Sequence, residues 1–273
     1  MDSQWENFLR NKGEWHGSFT QFSPGGMEIS DIPSILSLES FNNDRNARIT
    51  LRRFYPEERI LVQEFRSPLS KDLIFFENGS FCLGLSQIYS YSMPVIEFSL
   101  LHNDRRSRQV QKYNWEGNLE KVTLIREKLA GSNTPDRPPL TVEAMLGKWE
   151  GEAVSYNQEL QIDRYSIATE FDRVGDLLLK SLTTNRGVSS STITLKGKIE
   201  NSIVNFQAET SSLQMLLLPD GAWSNYTNPV KIGQPFFFEV GWLFDPNIYQ
   251  RLRRNYNEKG QWESATLITE RRV

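Results

Sequence analysis

From Ala47 to Arg52 apolar and polar side chains alternate one for one, and Arg53 and Phe54 extend the run. A period of two is that of a strand with one face buried. Residues 72–76 and 80–85 are apolar stretches on either side of Asn78-Gly79, a pair that accepts positive φ, which predicts a hairpin with a two-residue turn. The same text returns in residues 215–218, Asp220-Gly221 and residues 222–224, and residues 174–180, 191–196, 203–206 and 236–243 are strand-like as well. Each half of the chain thus holds roughly eight to ten short strands, joined mostly by hairpins; an up-and-down antiparallel sheet of that size removes its edges by closing into a barrel.

The two halves repeat one another, which bears on the fold more than any single element. Gly13-Glu14-Trp15-His16-Gly17 returns 134 residues later as Gly147-Lys148-Trp149-Glu150-Gly151. Each copy follows a helix-like stretch, residues 5–9 and 141–146, and Thr141 is placed to cap the second. Residues 113–127 lie over residues 256–270 without a gap, at an offset of 143: Tyr113-Asn114, Gly117, Glu120, Thr123-Leu124-Ile125 and Glu127 all find their counterparts. Between these ends, Asn78-Gly79 matches Asp220-Gly221 and Ile96-Glu97-Phe98 matches Phe238-Glu239-Val240, both at an offset of 142. Markers in one order, with a net insertion of 9 residues, point to duplication. Between the copies, Gly131, Ser132, Pro135, Pro138 and Pro139 cannot continue a ladder, so the expected domains are residues 1–130 and 141–273, joined by a linker at 131–140.

Composition narrows the function classes. The 273 residues suffice for two domains with real cores, and 31 basic against 34 acidic residues leave a net charge of −3. So balanced a chain has no global field for a nucleic-acid backbone or an anionic membrane, and nucleic acid is excluded as an expected partner. The opening residues show neither a basic n-region nor an apolar h-region, and no apolar run approaches the roughly 18 residues of a membrane span. With Cys82 the single cysteine, no disulfide forms within the chain, and a soluble, cytoplasmic setting is expected. Cys82 reads as a small buried strand residue.

A short helix followed by Gly-x-Trp on the first strand of an all-β domain resembles the lipocalins and fatty-acid-binding proteins, together the calycins. The fuller text Gln4-Trp5-Glu6-Asn7-Phe8-Leu9 and Gly13-Glu14-Trp15-His16-Gly17-Ser18-Phe19-Thr20 resembles an uncharacterised family of cyanobacterial and plant proteins built from two lipocalin-like domains, over essentially the whole chain. The resemblance implies two tandem lipocalin-like antiparallel barrels. In each, the first-strand Trp packs across the closed end under a cation from the last strand. By position, Trp15 would meet Lys128 or Arg126, and Trp149 would meet Arg271. Gly13, Trp15, Gly17, Lys128, Gly147, Trp149, Gly151 and Arg271 are therefore expected to be structural.

No catalytic set stands out. His16 and His102 are the two histidines, both in the first half, so neither a His/Cys metal site nor a repeated Ser/His/Asp or Cys/His constellation can be assembled. Ser23-Pro24-Gly25-Gly26-Met27 lacks the Lys-Ser/Thr of a phosphate loop; it reads as a turn after the first strand, placed to gate a barrel mouth. Arginines are the more informative residues. Arg108 matches Arg251 at the common offset, with Arg253 beside it, and Arg52 lies in the basic strand of the first half. On a barrel strand alternate side chains point inward, so Arg52, Arg108, Arg251 and Arg253 are the candidates to bind a ligand carboxylate, against the plainer reading of a solvated face balanced by acids. Glu97 and Glu239 lie out of phase with the apolar sets Ile96, Phe98, Leu100 and Phe238, Val240, Trp242; with the apolar sets inward, both glutamates would face out.

Sixteen Phe, nine Tyr and seven Trp suit either an apolar cavity or solidly packed barrels. Three functions follow. The first is non-enzymatic binding of a hydrophobic or amphipathic small molecule (a tetrapyrrole or bilin, a fatty acid or a carotenoid), with no obligatory cofactor. The second is a chromophore transferase like the calycin-type bilin lyases, with a pigment-protein as partner. The third is an interaction module with packed barrels.

Overall fold

A computed structural model describes residues 3–207 and 212–273. The first half runs α1 (Ser3–Leu9), β1 (Gly13–Phe22), β2 (Glu28–Phe41), β3 (Asn46–Phe54), β4 (Glu58–Arg66), β5 (Leu73–Phe75), β6 (Phe81–Leu83), β7 (Val95–His102), β8 (Arg105–Tyr113) and β9 (Leu119–Leu129). The second runs α2 (Val142–Met145), β10 (Gly147–Asn157), β11 (Ile162–Val174), β12 (Leu177–Arg186), β13 (Ser189–Glu200), β14 (Ile203–Gln207), β15 (Ser212–Leu217), β16 (Ala222–Asn228), β17 (Phe236–Asp245), β18 (Ile248–Tyr256) and β19 (Trp262–Arg272). All pairings are antiparallel, and the chain forms two sheets in tandem, a curled half-barrel followed by a closed barrel, each entered by a short helix.

The two are not equally complete. β10 to β19 close into a ten-stranded barrel, whereas the first nine strands curl in the order β4-β3-β2-β1-β9-β8-β7-β6-β5 and leave β4 and β5 as free edges. The sequence pattern predicted closure in both. Two of the first half's strands, β5 and β6, are only three residues long, too short to carry a ladder across the gap to the nine residues of β4.

Two turns differ from the expected ones. The hairpin between β5 and β6 is a three-residue turn, Glu77-Asn78-Gly79, in which Gly79 has positive φ and the Phe76 amide donates to the Ser80 carbonyl at 2.8 Å. Residues 174–180 are not one strand: Gly175-Asp176 turns the chain, and Val174 pairs with Leu177.

The repeated motif has a physical basis in both copies. Gly13 and Gly147 take φ of +132° and +109° where helix gives way to strand. The Trp15 and Trp149 indoles each donate to a carbonyl four residues back, Asn11 at 3.0 Å and Met145 at 2.8 Å, which ties each floor to its helix. Gly17 and Gly151 answer to close strand contact: a Cβ there would stand 1.9 Å from the Arg126 or the Thr269 carbonyl oxygen. The Thr141 hydroxyl accepts from the Ala144 amide and caps α2.

The largest apolar core lies between the two sheets. Ile96, Phe98 and Leu100 of β7 and Val122 and Leu124 of β9 pack with Tyr226, Phe238, Val240, Trp242 and Leu252. Polar contacts stitch the same face: Gln111 Nε2 donates to Ser224 Oγ at 2.8 Å, Arg254 donates to the Gly84 carbonyl at 2.8 Å, and Arg105 pairs with Asp220. The apolar alternation of β7 and β17 therefore faces the other domain, and Glu97 and Glu239 turn into the barrels, opposite to the expectation. Residues 23–27 are held at this junction too, with Tyr226 donating to the Pro24 carbonyl at 3.1 Å, so they do not form a free gate. Cys82 is buried in the same core, and burial pushes its thiol pKa up.

Candidate functional site

Inside the first sheet lies a cavity of about 460 Å³. Its walls are mostly apolar, among them Phe19, Leu36, Leu51, Phe65, Phe75 and Phe81, contributed by strands on both sides of the gap between β4 and β5. Four charged residues line it: Arg53, Glu97, Arg106 and Arg108. They point inward for one reason. On β3, β7 and β8 the opposite parity is taken by the outer surface or the domain junction, and the period of two leaves these positions the interior.

The ionic groups are ordered. Arg108 grips Glu97 Oε1 with Nε at 2.8 Å and Nη2 at 2.6 Å, and reaches Glu127 Oε1 with Nη1 at 3.2 Å. Arg106 donates from Nε to Glu127 Oε2 at 2.7 Å and from Nη1 to Asn11 at 3.1 Å, while its guanidinium lies 4.5 Å over the Trp15 ring. Burial disfavours the charged Arg108, but Glu97 and Glu127 more than offset it and hold the proton more tightly than usual. For Arg106 burial wins, and its pKa is lowered.

The second barrel carries the same triad at the same offsets. Arg251 donates to Glu270 Oε2 from Nε at 3.2 Å and Nη2 at 3.0 Å, and from Nη1 to Glu239 Oε1 at 3.2 Å. Here the space around the triad is filled. Arg253, standing where the first barrel has Val110, also reaches Glu239, and Lys180 is buried between Phe171 and Trp223. Burial, opposed by Glu239, brings Lys180 down to about 8. Desolvation works against the Glu239 carboxylate, yet Arg253, Lys180 and Arg251 hold it far below the usual range. At the floor only about 10 Å³ remains between Trp149, Phe171, Trp223 and Tyr249, while a pocket of about 310 Å³ lies along β12 and β13, against Leu182, Thr184, Arg186 and Ile193.

The sequence candidates therefore part company. Arg108 lines the cavity, but its charge is spoken for. Arg251 is fully buried in the second barrel and Arg253 is paired with Glu239 beneath Phe237. Arg52 faces outward and pairs with Glu58 at 2.6 Å; its neighbour Arg53 is the inward one. The cations on the two tryptophans differ as well. Trp15 is covered by Arg106 of β8, not by Lys128, which pairs with Asp136 at 2.9 Å, nor by Arg126, which bonds Thr20. Trp149 is covered by Arg272 at 4.1 Å, not by Arg271. Parity explains all three: Glu127 and Glu270 point inward, so 126, 128 and 271 point out. Sequence reasoning missed Arg53, Arg106, Glu97 and Glu127 as interior groups, although Glu97 and Glu127 recur as Glu239 and Glu270.

Residues 1–132 match the family model described as domain of unknown function DUF3598, N-terminal, and residues 136–273 match the one described as biogenesis factor required for ATP synthase 1, C-terminal domain. A crystal structure of a protein of unknown function from the DUF3598 family of Nostoc punctiforme is 42% identical, with a TM-score of 0.93 and 100% of each chain covered. The S-type phycobiliprotein lyase CPES from Guillardia theta covers 48% of this chain and 90% of its own, at 14% identity and a TM-score of 0.42. A putative outer membrane protein from Bacteroides fragilis covers 97% and 99%, at 8% identity and a TM-score of 0.25. Likenesses of those last two grades carry no functional argument. No curated protein matches the chain. No helix among the described residues is long and apolar enough to cross a membrane.

Proposed function

The chain belongs to the DUF3598 family, and from that premise we propose that its first barrel binds a hydrophobic or amphipathic small molecule without transforming it, while the second barrel is its structural partner. One observation carries this reading: the first half holds a mostly apolar cavity of about 460 Å³ that its ionic triad borders, whereas the matching triad of the second half is sealed, with about 10 Å³ at the floor below it and a smaller pocket of about 310 Å³ along β12 and β13. That volume lies within the roughly 300–1,000 Å³ typical of small-molecule pockets, which are mostly apolar with a few placed polar groups. Packing density in protein interiors leaves such voids rare, and this one opens between two free strand edges through which a ligand can pass. Fatty acids, carotenoids and tetrapyrroles all have the apolar body that these walls suit.

The transferase alternative is disfavoured by the same geometry. A lyase-type mechanism needs a carboxyl group free to meet the chromophore, and Glu97, the carboxylate lining the cavity, has its Oε1 engaged by two nitrogens of Arg108. Titration of the full chain with the neutral dye Nile red tests the binding reading. Emission should rise on binding and be lost in Leu51→Trp, which fills the cavity, while circular dichroism stays unchanged. A folded Leu51→Trp that binds the dye as the parent does would refute the assignment to this cavity.

A further inference from the structure

We infer that the ligand of the first barrel is an amphiphile bearing a single negative charge, and that its anionic group is received by a cross-strand row running Arg53, Ser34, Gly17, Glu127, Arg106. This rests on the binding reading above and sharpens it to a ligand class. The row is given by the strand register: Arg53 pairs with Ser34, Ser34 with Gly17, Gly17 with Glu127, and Glu127 with Arg106. Three of its polar atoms are buried without a hydrogen-bond partner, namely Arg53 Nε, Ser34 Oγ and Arg106 Nη2. Buried polar groups are nearly always satisfied, so three orphans on one row beside a cavity mark a place where an acceptor is missing.

Charge accounting agrees. Arg106 and Arg108 are balanced by Glu97 and Glu127, whereas Arg53 has no carboxylate within ion-pair distance among the described residues and lies 5.7 Å from the Phe19 and Tyr55 rings instead. Three guanidiniums against two carboxylates leave one positive charge, and an arginine cannot shed it by losing a proton. A monoanion restores balance; a guanidinium beside a carboxylate is also the pairing that planar donors favour.

The second barrel supplies the contrast. Its corresponding row reads Thr184, Ile167, Gly151, Glu270, Tyr249. Ile167 there packs with Ala153 and Ile268. Both arginines and the serine of the first row are gone; the unpartnered atoms of this row are Glu270 Oε1 and Tyr249 Oη, which offer an anion no cation, and Thr184 borders a pocket of about 310 Å³ instead.

The test compares a long-chain fatty acid with its methyl ester, each displacing Nile red from the full chain at pH 8. The acid should bind at least about tenfold more tightly than the ester, the scale expected of a hydrogen bond to a charged group. Arg53→Gln should abolish that preference, weakening acid binding at least about tenfold more than ester binding. Arg52→Gln, altering the outward neighbour, should change neither. Equal affinity of the parent for acid and ester, or an Arg53→Gln protein that weakens both alike, overturns the anion site while leaving the cavity reading intact. Dye binding that displaces with neither compound also overturns it. Absence of dye binding in the parent refutes the cavity reading itself.

Discussion

Arg251→Met should destabilise the protein far more than Arg108→Met, although the two arginines are equivalent by duplication. Arg251, Glu239 and Glu270 all have fully buried side chains. Methionine replaces the apolar length of the arginine but withdraws both nitrogens from Glu270 Oε2. Glu239 keeps Arg253 and Asn225, so the count is one buried carboxylate left uncompensated, for which about 3–5 kcal/mol is the usual cost. In the first barrel Glu127 retains Arg106 at 2.7 Å after Arg108 is removed, and Glu97 lines a cavity that admits water. Its loss is that of a part-exposed charged pair, about 1–2 kcal/mol. Urea denaturation followed by tryptophan emission measures both, with the slope in denaturant checked for constancy. Equal losses, or a larger loss for Arg108→Met, would refute the claim that the Arg251 triad is sealed while the Arg108 triad borders a cavity.

Three further outcomes follow from the geometry. Gly17→Ala and Gly151→Ala each place a Cβ 1.9 Å from a carbonyl oxygen and should cost at least about 3 kcal/mol in thermal melts, whereas Gly25→Ala, whose nearest neighbour would be 3.7 Å away, should stay within about 0.5 kcal/mol. Arg272→Ala removes a guanidinium stacked on Trp149 and bonded to the Ala144 carbonyl, so it should cost about 1–2 kcal/mol, against less than about 0.5 kcal/mol for Arg271→Ala; similar values would contradict the parity assigned to β19. Lys180 binds its proton less tightly when folded, at about 8 against the ordinary 10.5, so its contribution to stability is gained as pH rises through that window, by up to about 3 kcal/mol. The Tm of the parent should therefore climb between pH 7 and 10 relative to Lys180→Met, and parallel curves would count against a buried ammonium.

Much of this protein was legible in its sequence, and the limit of legibility has a definite form. The duplication, the all-β class, the Thr141 cap and the paired tryptophans follow from local text, because capping, period-two alternation and a Gly-x-Trp-x-Gly strand are decided by near neighbours. Alternation also says that the two faces of β7 and β17 differ. It does not say which face is the barrel interior. In a single barrel the apolar set Ile96, Phe98 and Leu100 would point inward; here the second domain supplies a larger apolar surface, and the glutamates take the interior with arginines to match them. The same one-residue parity moved the cations over Trp15 and Trp149 to Arg106 and Arg272, and the inward charge of β3 from Arg52 to Arg53. Only the tertiary structure decided that one copy closes while the other leaves β4 and β5 unpaired, since closure is a long-range pairing that no local text specifies, and that Arg253, standing where the first barrel has Val110, reaches Glu239 and helps seal the second triad.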